Sequence, residues 1–412
     1  MTCAPYMVST VRAPDGSYTG ELIRIVSTRT EVKGTVAAGY EEVREEFAAV
    51  LAHPDEGPDH AAQLVAYVRG ERVVDLWGGP HIEADSLTPV YSSTKGAAHL
   101  VVALLVQDGV LDLDREVAQY WPEFGVHGKD RLTLRELLAH RSGVVGADSG
   151  FSPEELADDR AIAARLAGQR PYWRAGTAVG YHAYVIGALT GEVVRRVTGR
   201  TIQEWYEERV RAPYGLDFWM GAPEDVLPRV LDTLPMTPTP AQQAEMDASP
   251  TGAHSLGGIA FNLNAKVPTD LVATANSAAV RLAGPSSFGG VGSARGLAGM
   301  YQAILGGGPD GTSPLLDADV LAEFGQVHSD GIDLVGGARS VFGLGFQAMS
   351  AEKYPVLGHG AIGHSGAAGS VAFADPRNRI AYGYNRRRFA YPGGAAPENV
   401  RLVRALVRAA SA

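Results

Sequence analysis

The chain has 412 residues, 45% of them hydrophobic, a formal net charge of −10 and a single cysteine. That length supports a sizeable core in one large domain with an inserted lobe, or in two lobes. The acidic balance, with no basic stripe interleaved with aromatics, excludes nucleic acid as a partner, and the lone Cys3 excludes an internal disulfide or a cysteine-rich metal site and fits a reducing compartment.

The chain opens Met1-Thr2-Cys3-Ala4-Pro5 with no basic stretch leading into an apolar run, and no later stretch is long and apolar enough to span a membrane. A cytoplasmic protein is expected. Residues 1–36 have no helical period and read as an extension over the surface, ahead of a main domain at 37–412. From Gly39 to His53 the residues Val43, Phe47, Val50 and Leu51 fall at helical spacing opposite Glu41, Glu42, Arg44, Glu45 and Glu46, which predicts an amphipathic helix. Leu64–Val68 and Val73–Trp77, joined by Arg69-Gly70-Glu71, predict a β-hairpin.

Tyr91-Ser92-Ser93-Thr94-Lys95 then runs into Gly96–Asp108. Between Ser92 and Asp108 the one permanent charge before the last residue is Lys95, and apolar residues occupy every face of the wheel. The helix is therefore expected to be surrounded by protein. Ser92 and Lys95 share a face at the end where unpaired backbone N–H groups point outward. A serine hydroxyl needs a base to become a nucleophile, and a desolvated lysine can supply a neutral amine. The plainer alternative is a helix cap at Ser92 and a lysine that snorkels to the surface.

Thr133-Leu134-Arg135-Glu136 carries a capping-box pattern and runs on to a glycine stop at Gly143, predicting a short helix. Residues 111–290 hold further helical and Pro-rich segments with little strand signal. They read as a mainly helical lobe inserted into an α/β lobe formed by 37–110 and 291–412. Val371–Ala374 and Ile380–Tyr384, joined by Asp375-Pro376-Arg377-Asn378, predict a second hairpin, and Val400, Val403 and Val407 stripe a final helix. Two patterns are decoys. Ser255 in Ala253-His254-Ser255-Leu256-Gly257 lacks the buried strand that a nucleophile elbow needs, and the acidic stretch from His53 to His60 is a Pro/Gly loop without a metal-ligand framework.

The block Ser92-Ser93-Thr94-Lys95 resembles the Ser-x-x-Lys motif of the serine β-lactamases and penicillin-binding proteins. Thr133-Leu134-Arg135-Glu136-Leu137-Leu138-Ala139-His140-Arg141-Ser142-Gly143 is similar to a landmark of their class C-like branch, which includes family VIII carboxylesterases and related transacylases. Gly180-Tyr181-His182-Ala183 resembles the tyrosine motif, and Gly363-His364-Ser365-Gly366 stands where the family places Lys-Thr-Gly or, in its esterases, His-x-Gly. The resemblance covers roughly residues 40–410. It implies an α/β (α+β) fold of the β-lactamase/transpeptidase type, with an antiparallel sheet flanked by terminal helices beside the helical lobe.

The resemblance also implies roles. Ser92 is the nucleophile, Lys95 its base and Tyr181 the phenol that moves the proton to the leaving group. Close to a lysine ammonium such a phenol is easier to ionise, so either member of the pair can hold the mobile proton. The backbone N–H groups of Ser92 and Ala367 form the oxyanion hole. His364, Ser365, Gly366 and His182 border the substrate, and no metal or other cofactor is called for. Two departures favour esters over β-lactams: His364 lacks the permanent charge of a lysine, and Ala183 lacks a side-chain amide. The expected activity is hydrolysis of a small-molecule ester. Acyl transfer to an amine or alcohol is the alternative, and β-lactam or D-amino-acid peptide hydrolysis and a catalytically silent binding protein rank below it. The acyl group, the acceptor and the oligomeric state stay open.

Overall fold

The computed structural model describes residues 8–12, 18–22, 31–57, 59–306, 313–351 and 353–412. Cys3 and the start of the extension lie outside the described residues. Of the rest of the extension, Val8–Arg12 and Tyr18–Leu22 pair as an antiparallel ribbon.

Among the described residues the main sheet has nine strands. Their spatial order is Val32–Val36, Glu71–Gly78, Ala62–Val68, Ile380–Arg386, Val371–Asp375, Ile362–Ser365, Gln347–Ala348, Arg339–Phe342 and Ser329–Ile332. Every neighbouring pair is antiparallel. The hairpin near the N-terminus meets the one near the C-terminus at Ala62–Val68 and Ile380–Arg386, with Leu64 opposite Tyr384 and Ala66 opposite Tyr382. The sheet is thus assembled from both ends of the chain, as expected. One boundary moves: Val32–Val36, assigned to the extension from sequence, is the edge strand, in register with Gly78 back to Val74. Its Val-Lys-Gly-Thr-Val alternates half-buried and exposed residues, the period-2 pattern of an edge.

Helix Glu41–Leu51 buries Val43, Phe47, Val50 and Leu51, the predicted stripe. It packs with the terminal helix Asn399–Ser411 over one face of the sheet, joining a core that includes Leu64, Phe373, Tyr382 and Leu406. The terminal helix departs from the sequence reading in one respect. Val400 is 41% exposed, and Leu402, Val403, Ala405 and Leu406 carry the buried face. Helix Ala294–Leu305 covers the other side, against Ile380–Arg386, Val371–Asp375 and Ala62–Val68. Beyond it lies the larger core, built around helix Thr94–Gln107 and shared with the helical lobe through Leu137, Leu138, Ile186, Leu189 and Val193. A three-stranded sheet of Thr88–Pro89, Val291–Gly292 and Phe218–Trp219 ties the lobes at their junction. Fully burying a Leu or Phe contributes about 1.5–3 kcal/mol, so the near-complete burial of helix Thr94–Gln107 makes it the scaffold that both lobes share.

Candidate active site

Ser92 sits in a short turn, Tyr91–Ser93, that feeds directly into helix Thr94–Gln107. The turn is strained, since Tyr91 has φ +50°, a conformation that costs a non-glycine residue energy. Its surroundings hold it there. The Tyr91 ring meets Phe389 edge-on at 5.8 Å, and the Thr94 hydroxyl donates to Tyr91 O at 2.5 Å while accepting from Gly290 N at 2.9 Å. Ser93 faces the other way: its hydroxyl lies 2.9 Å from Ser370 Oγ and donates to His364 O at 3.2 Å, while Ser370 donates to Val90 O at 2.9 Å. These bonds fasten the Ser92 turn to the end of strand Ile362–Ser365. Gly366 is required in that contact, because a Cβ there would stand 2.2 Å from Val90 O and 2.3 Å from Ser370 Oγ.

Lys95 is fully buried one turn along the helix. Its Nζ is 3.1 Å from Ser92 Oγ and donates to Ala183 O at 2.7 Å and Ser287 O at 2.8 Å. Among the described residues no carboxylate forms an ion pair with it, and burial holds its pKa well below the ordinary lysine value. A neutral amine has two N–H donors and one lone pair. With the donors on the two carbonyls, the lone pair is left for the Ser92 hydroxyl. The snorkelling alternative is therefore set aside: the ammonium end reaches inward, not to solvent.

Tyr181 lies over the same site, half-buried, with Lys95 Nζ 4.9 Å from its ring centroid. The ring stacks on Phe342 at 6.1 Å with an interplanar angle of 5°, and is flanked by His140 at 5.3 Å and His364 at 6.1 Å. Burial raises the phenol pKa, a hydrogen bond with the Ser92 side chain partly offsets the rise, and the Asp333 charge adds to it. This corrects the expectation of an easily ionised tyrosine. Lys95 is neutral, the desolvation is large, and the phenol keeps its proton.

His364 is fully buried on strand Ile362–Ser365, and its pKa is pushed well down by burial and then by Lys95. Its Nδ1 is 2.8 Å from Ser365 O, which as a carbonyl can only accept, so Nδ1 carries the proton. Nε2 then presents a lone pair and has no protein partner. Ser365 turns its N–H and its hydroxyl to Gln347 Oε1, at 3.0 and 3.1 Å. Ala367 lies in the turn after it, where Gly366 N donates to Ser370 O at 2.8 Å, and packs with Tyr91, Ala368 and Phe389.

His182 does not join the site as expected. It is fully buried behind Tyr181, with Nδ1 donating to Gly180 O at 2.7 Å and Nε2 accepting from the Ser142 hydroxyl at 2.6 Å. Its backbone N–H donates to His140 Nδ1 at 3.1 Å, and burial lowers its own pKa to about 4. Its work is to brace the Tyr181 segment. Sequence reasoning missed the carbonyls of Ala183 and Ser287 and the ring of Phe342. Backbone acceptors carry no residue-type signal, and Phe342 lies 161 positions from Tyr181. Ser255, set aside as a decoy, caps helix Leu256–Ala260, accepting from Gly258 N at 3.1 Å. No group of three or more His, Cys, Asp or Glu that could hold a metal ion occurs among the described residues.

A serine hydroxyl at a buried helix start lies beside a buried lysine amine and below a phenol, an arrangement whose chemistry suits acyl transfer. The chain belongs to the β-lactamase family, which it matches over residues 50–405. It is 30% identical to the esterase/beta-lactamase LipL of Mycobacterium tuberculosis over 80% of this chain and 77% of that protein. Among solved structures, EstA from Arthrobacter nitroguajacolicus Rue61a superposes with a TM-score of 0.83 at 40% identity, covering 92% of this chain and 98% of EstA. A family VIII carboxylesterase superposes with a TM-score of 0.77 at 34% identity, covering 92% and 100%. No helix among the described residues is long and apolar enough to cross a membrane.

Proposed function

We propose that the protein is a serine carboxylesterase that hydrolyses small uncharged esters through an acyl-enzyme on Ser92. The observation that carries this reading is the buried Lys95 amine, with both N–H donors on carbonyls and its lone pair 3.1 Å from Ser92 Oγ. As Ser92 Oγ attacks the ester carbonyl, its proton passes to Lys95 Nζ. The oxyanion that forms is met by the N–H groups of Ser92 and Ala367. Tyr181 gives its phenolic proton to the departing alkoxide and is reprotonated from the Lys95 ammonium. Water then attacks the acyl-enzyme by the reverse proton path, releasing the acid and restoring Ser92.

His364 directs the choice of substrate. A neutral imidazole whose Nε2 carries a lone pair cannot donate from that nitrogen to a carboxylate, whereas a lysine at that position would. Ala183 offers only its carbonyl, and Lys95 already uses that. The similar family VIII carboxylesterase points in the same direction, and LipL is named as both an esterase and a beta-lactamase. The single cysteine fits a reducing, cytoplasmic setting. The test uses p-nitrophenyl acetate with wild-type protein and Ser92→Ala, together with fluorophosphonate labelling read by intact mass. Turnover and a single adduct in wild type, both absent from a folded Ser92→Ala, are expected. Equal turnover by the two proteins would refute the assignment, and an unlabelled, inactive wild type would favour a binding protein.

A further inference from the structure

We propose that Asp333 is a positioning residue for the reaction, holding the Tyr181 backbone from the opposite lobe and so aiming the phenol at Ser92. The inference rests on the esterase reading and adds to it a residue outside every motif of the site. Asp333 follows strand Ser329–Ile332 and is 2% exposed. Its Oδ1 accepts from Tyr181 N at 3.1 Å, Val335 N at 2.8 Å and Gly336 N at 3.0 Å. The last two bonds shape its own turn, which closes through Gly337 N to Asp333 O at 2.8 Å and Asp333 N to Ala338 O at 2.8 Å. The first crosses 152 residues to the helical lobe. A second crossing bond, Leu334 N to Val179 O at 3.0 Å, fixes the strip two residues upstream.

The same hairpin grips the ring. Its returning strand Arg339–Phe342 ends at Phe342, which stacks on Tyr181. Tyr181 is therefore clamped twice by one hairpin, at its amide by Asp333 and at its ring by Phe342, while His140 closes the remaining flank. A carboxylate accepting a backbone N–H makes a stronger and more directional bond than a neutral oxygen. The other titratable groups facing Tyr181 are Lys95, His140 and His364, with His182 next in the chain, and burial holds all four neutral. Burial is the main cause of the raised phenol pKa, and the Asp333 charge adds to it.

The experiment measures kcat and KM on p-nitrophenyl acetate for wild type, Asp333→Ala, Asp333→Asn, Tyr181→Phe and the double variant Asp333→Ala/Tyr181→Phe. Wild-type turnover comes first, since its absence would count against the esterase reading and not against Asp333. Asp333→Ala is expected to lower kcat roughly tenfold to a hundredfold with KM within about twofold, as a misplaced catalytic group does. Asp333→Asn keeps an acceptor oxygen in place and is expected to recover most of that loss. In the Tyr181→Phe background, Asp333→Ala is expected to cost no more than about a further twofold, because the hydroxyl it aims is already gone. Wild-type kcat in Asp333→Ala would overturn the proposal. The same fractional loss with and without the Tyr181 hydroxyl would also overturn it, by assigning Asp333 to the general fold. If Asp333→Ala fails to fold, Asp333→Ser, whose shorter side chain can still cap its own turn but cannot reach Tyr181 N, is measured in the two backgrounds and decides by the same comparison.

Discussion

Replacing Lys95 with methionine separates its chemistry from its packing. Lys95→Met keeps an unbranched chain of similar volume and removes the amine. Two carbonyls, Ala183 O and Ser287 O, lose the donor now at 2.7 Å and 2.8 Å, and leaving each unpaired costs about 1–3 kcal/mol. Against that, an amine head no longer has to be held away from water, a gain of the same order. The fold is expected to survive with a melting shift of only a few degrees. The rate is expected to behave differently, since removal of a general base costs on the order of 10²–10⁴ in kcat. Wild-type kcat/KM is expected to fall on the acid side as Lys95 takes up a proton, with an inflection well below 10.5 because burial disfavours the ammonium. Lys95→Met is expected to lose that limb. The assay is a pH–rate profile on p-nitrophenyl acetate, with a thermal melt to certify folding. A folded Lys95→Met within tenfold of wild-type kcat, or with an unchanged acid limb, would refute the assignment of Lys95 as base.

Tyr181→Phe is expected to lose on the order of 10² in kcat, and combined with Lys95→Met it is expected to lose much less than the product of the single losses, since the pair moves one proton; multiplicative losses would contradict the coupling. Wild-type kcat/KM for a short aryl ester is expected to exceed that for a chromogenic cephalosporin by at least roughly 10², and His364→Lys to narrow the gap, because a charge-assisted bond to the carboxylate is worth roughly 1.5–3 kcal/mol; a wild type that prefers the cephalosporin would overturn the esterase reading. Acid is expected to destabilise the fold. His182 titrates at about 4 when folded, against about 6.5 unfolded, so below 6.5 the unfolded chain binds the extra proton and stability falls as pH drops towards 4, by about 3 kcal/mol for this residue. His99, lowered to about 3, acts in the same direction, and a urea midpoint unchanged between pH 7 and 4.5 would contradict this.

Where one face of an element is buried, its period could be read directly. Val43, Phe47, Val50 and Leu51 declared their helix, and the two hairpins declared theirs through alternation and a turn. The capping box at Thr133 and Glu136 is formed as predicted, although its helix stops at Leu138, well before Gly143, because His140 takes φ +59°. Signals failed where elements are short or their partners are distant. Strands Ser329–Ile332, Arg339–Phe342 and Gln347–Ala348 have four residues or fewer, too few for alternation to stand out. In the site, motif spacing was enough to align Ser92, Lys95, Tyr181 and His364. It could not separate His182, which faces inward to Ser142, from Tyr181 beside it, because adjacent residues in an extended segment point to opposite sides. Asp333 carried no motif at all, since its partner is an amide of the other lobe.

The titrating groups around Ser92 share one cause and one outcome. Burial pushes Lys95, His140, His182 and His364 down and Tyr181 up, each towards its uncharged form. The Asp333 carboxylate is spent on three backbone N–H groups. None of these five groups offers a fixed cation to an anionic substrate, and a carboxylate brought against them would be desolvated without a partner; the ammonium whose charge reaches His364 is that of Lys353. An uncharged ester carries no such cost. Its charge first develops in the transition state, as the oxyanion, where a low-dielectric site strengthens every donor already aimed at it. On the proposed mechanism the desolvation that would let Lys95 act as a base would also favour an uncharged substrate, and His364→Lys tests the second of these.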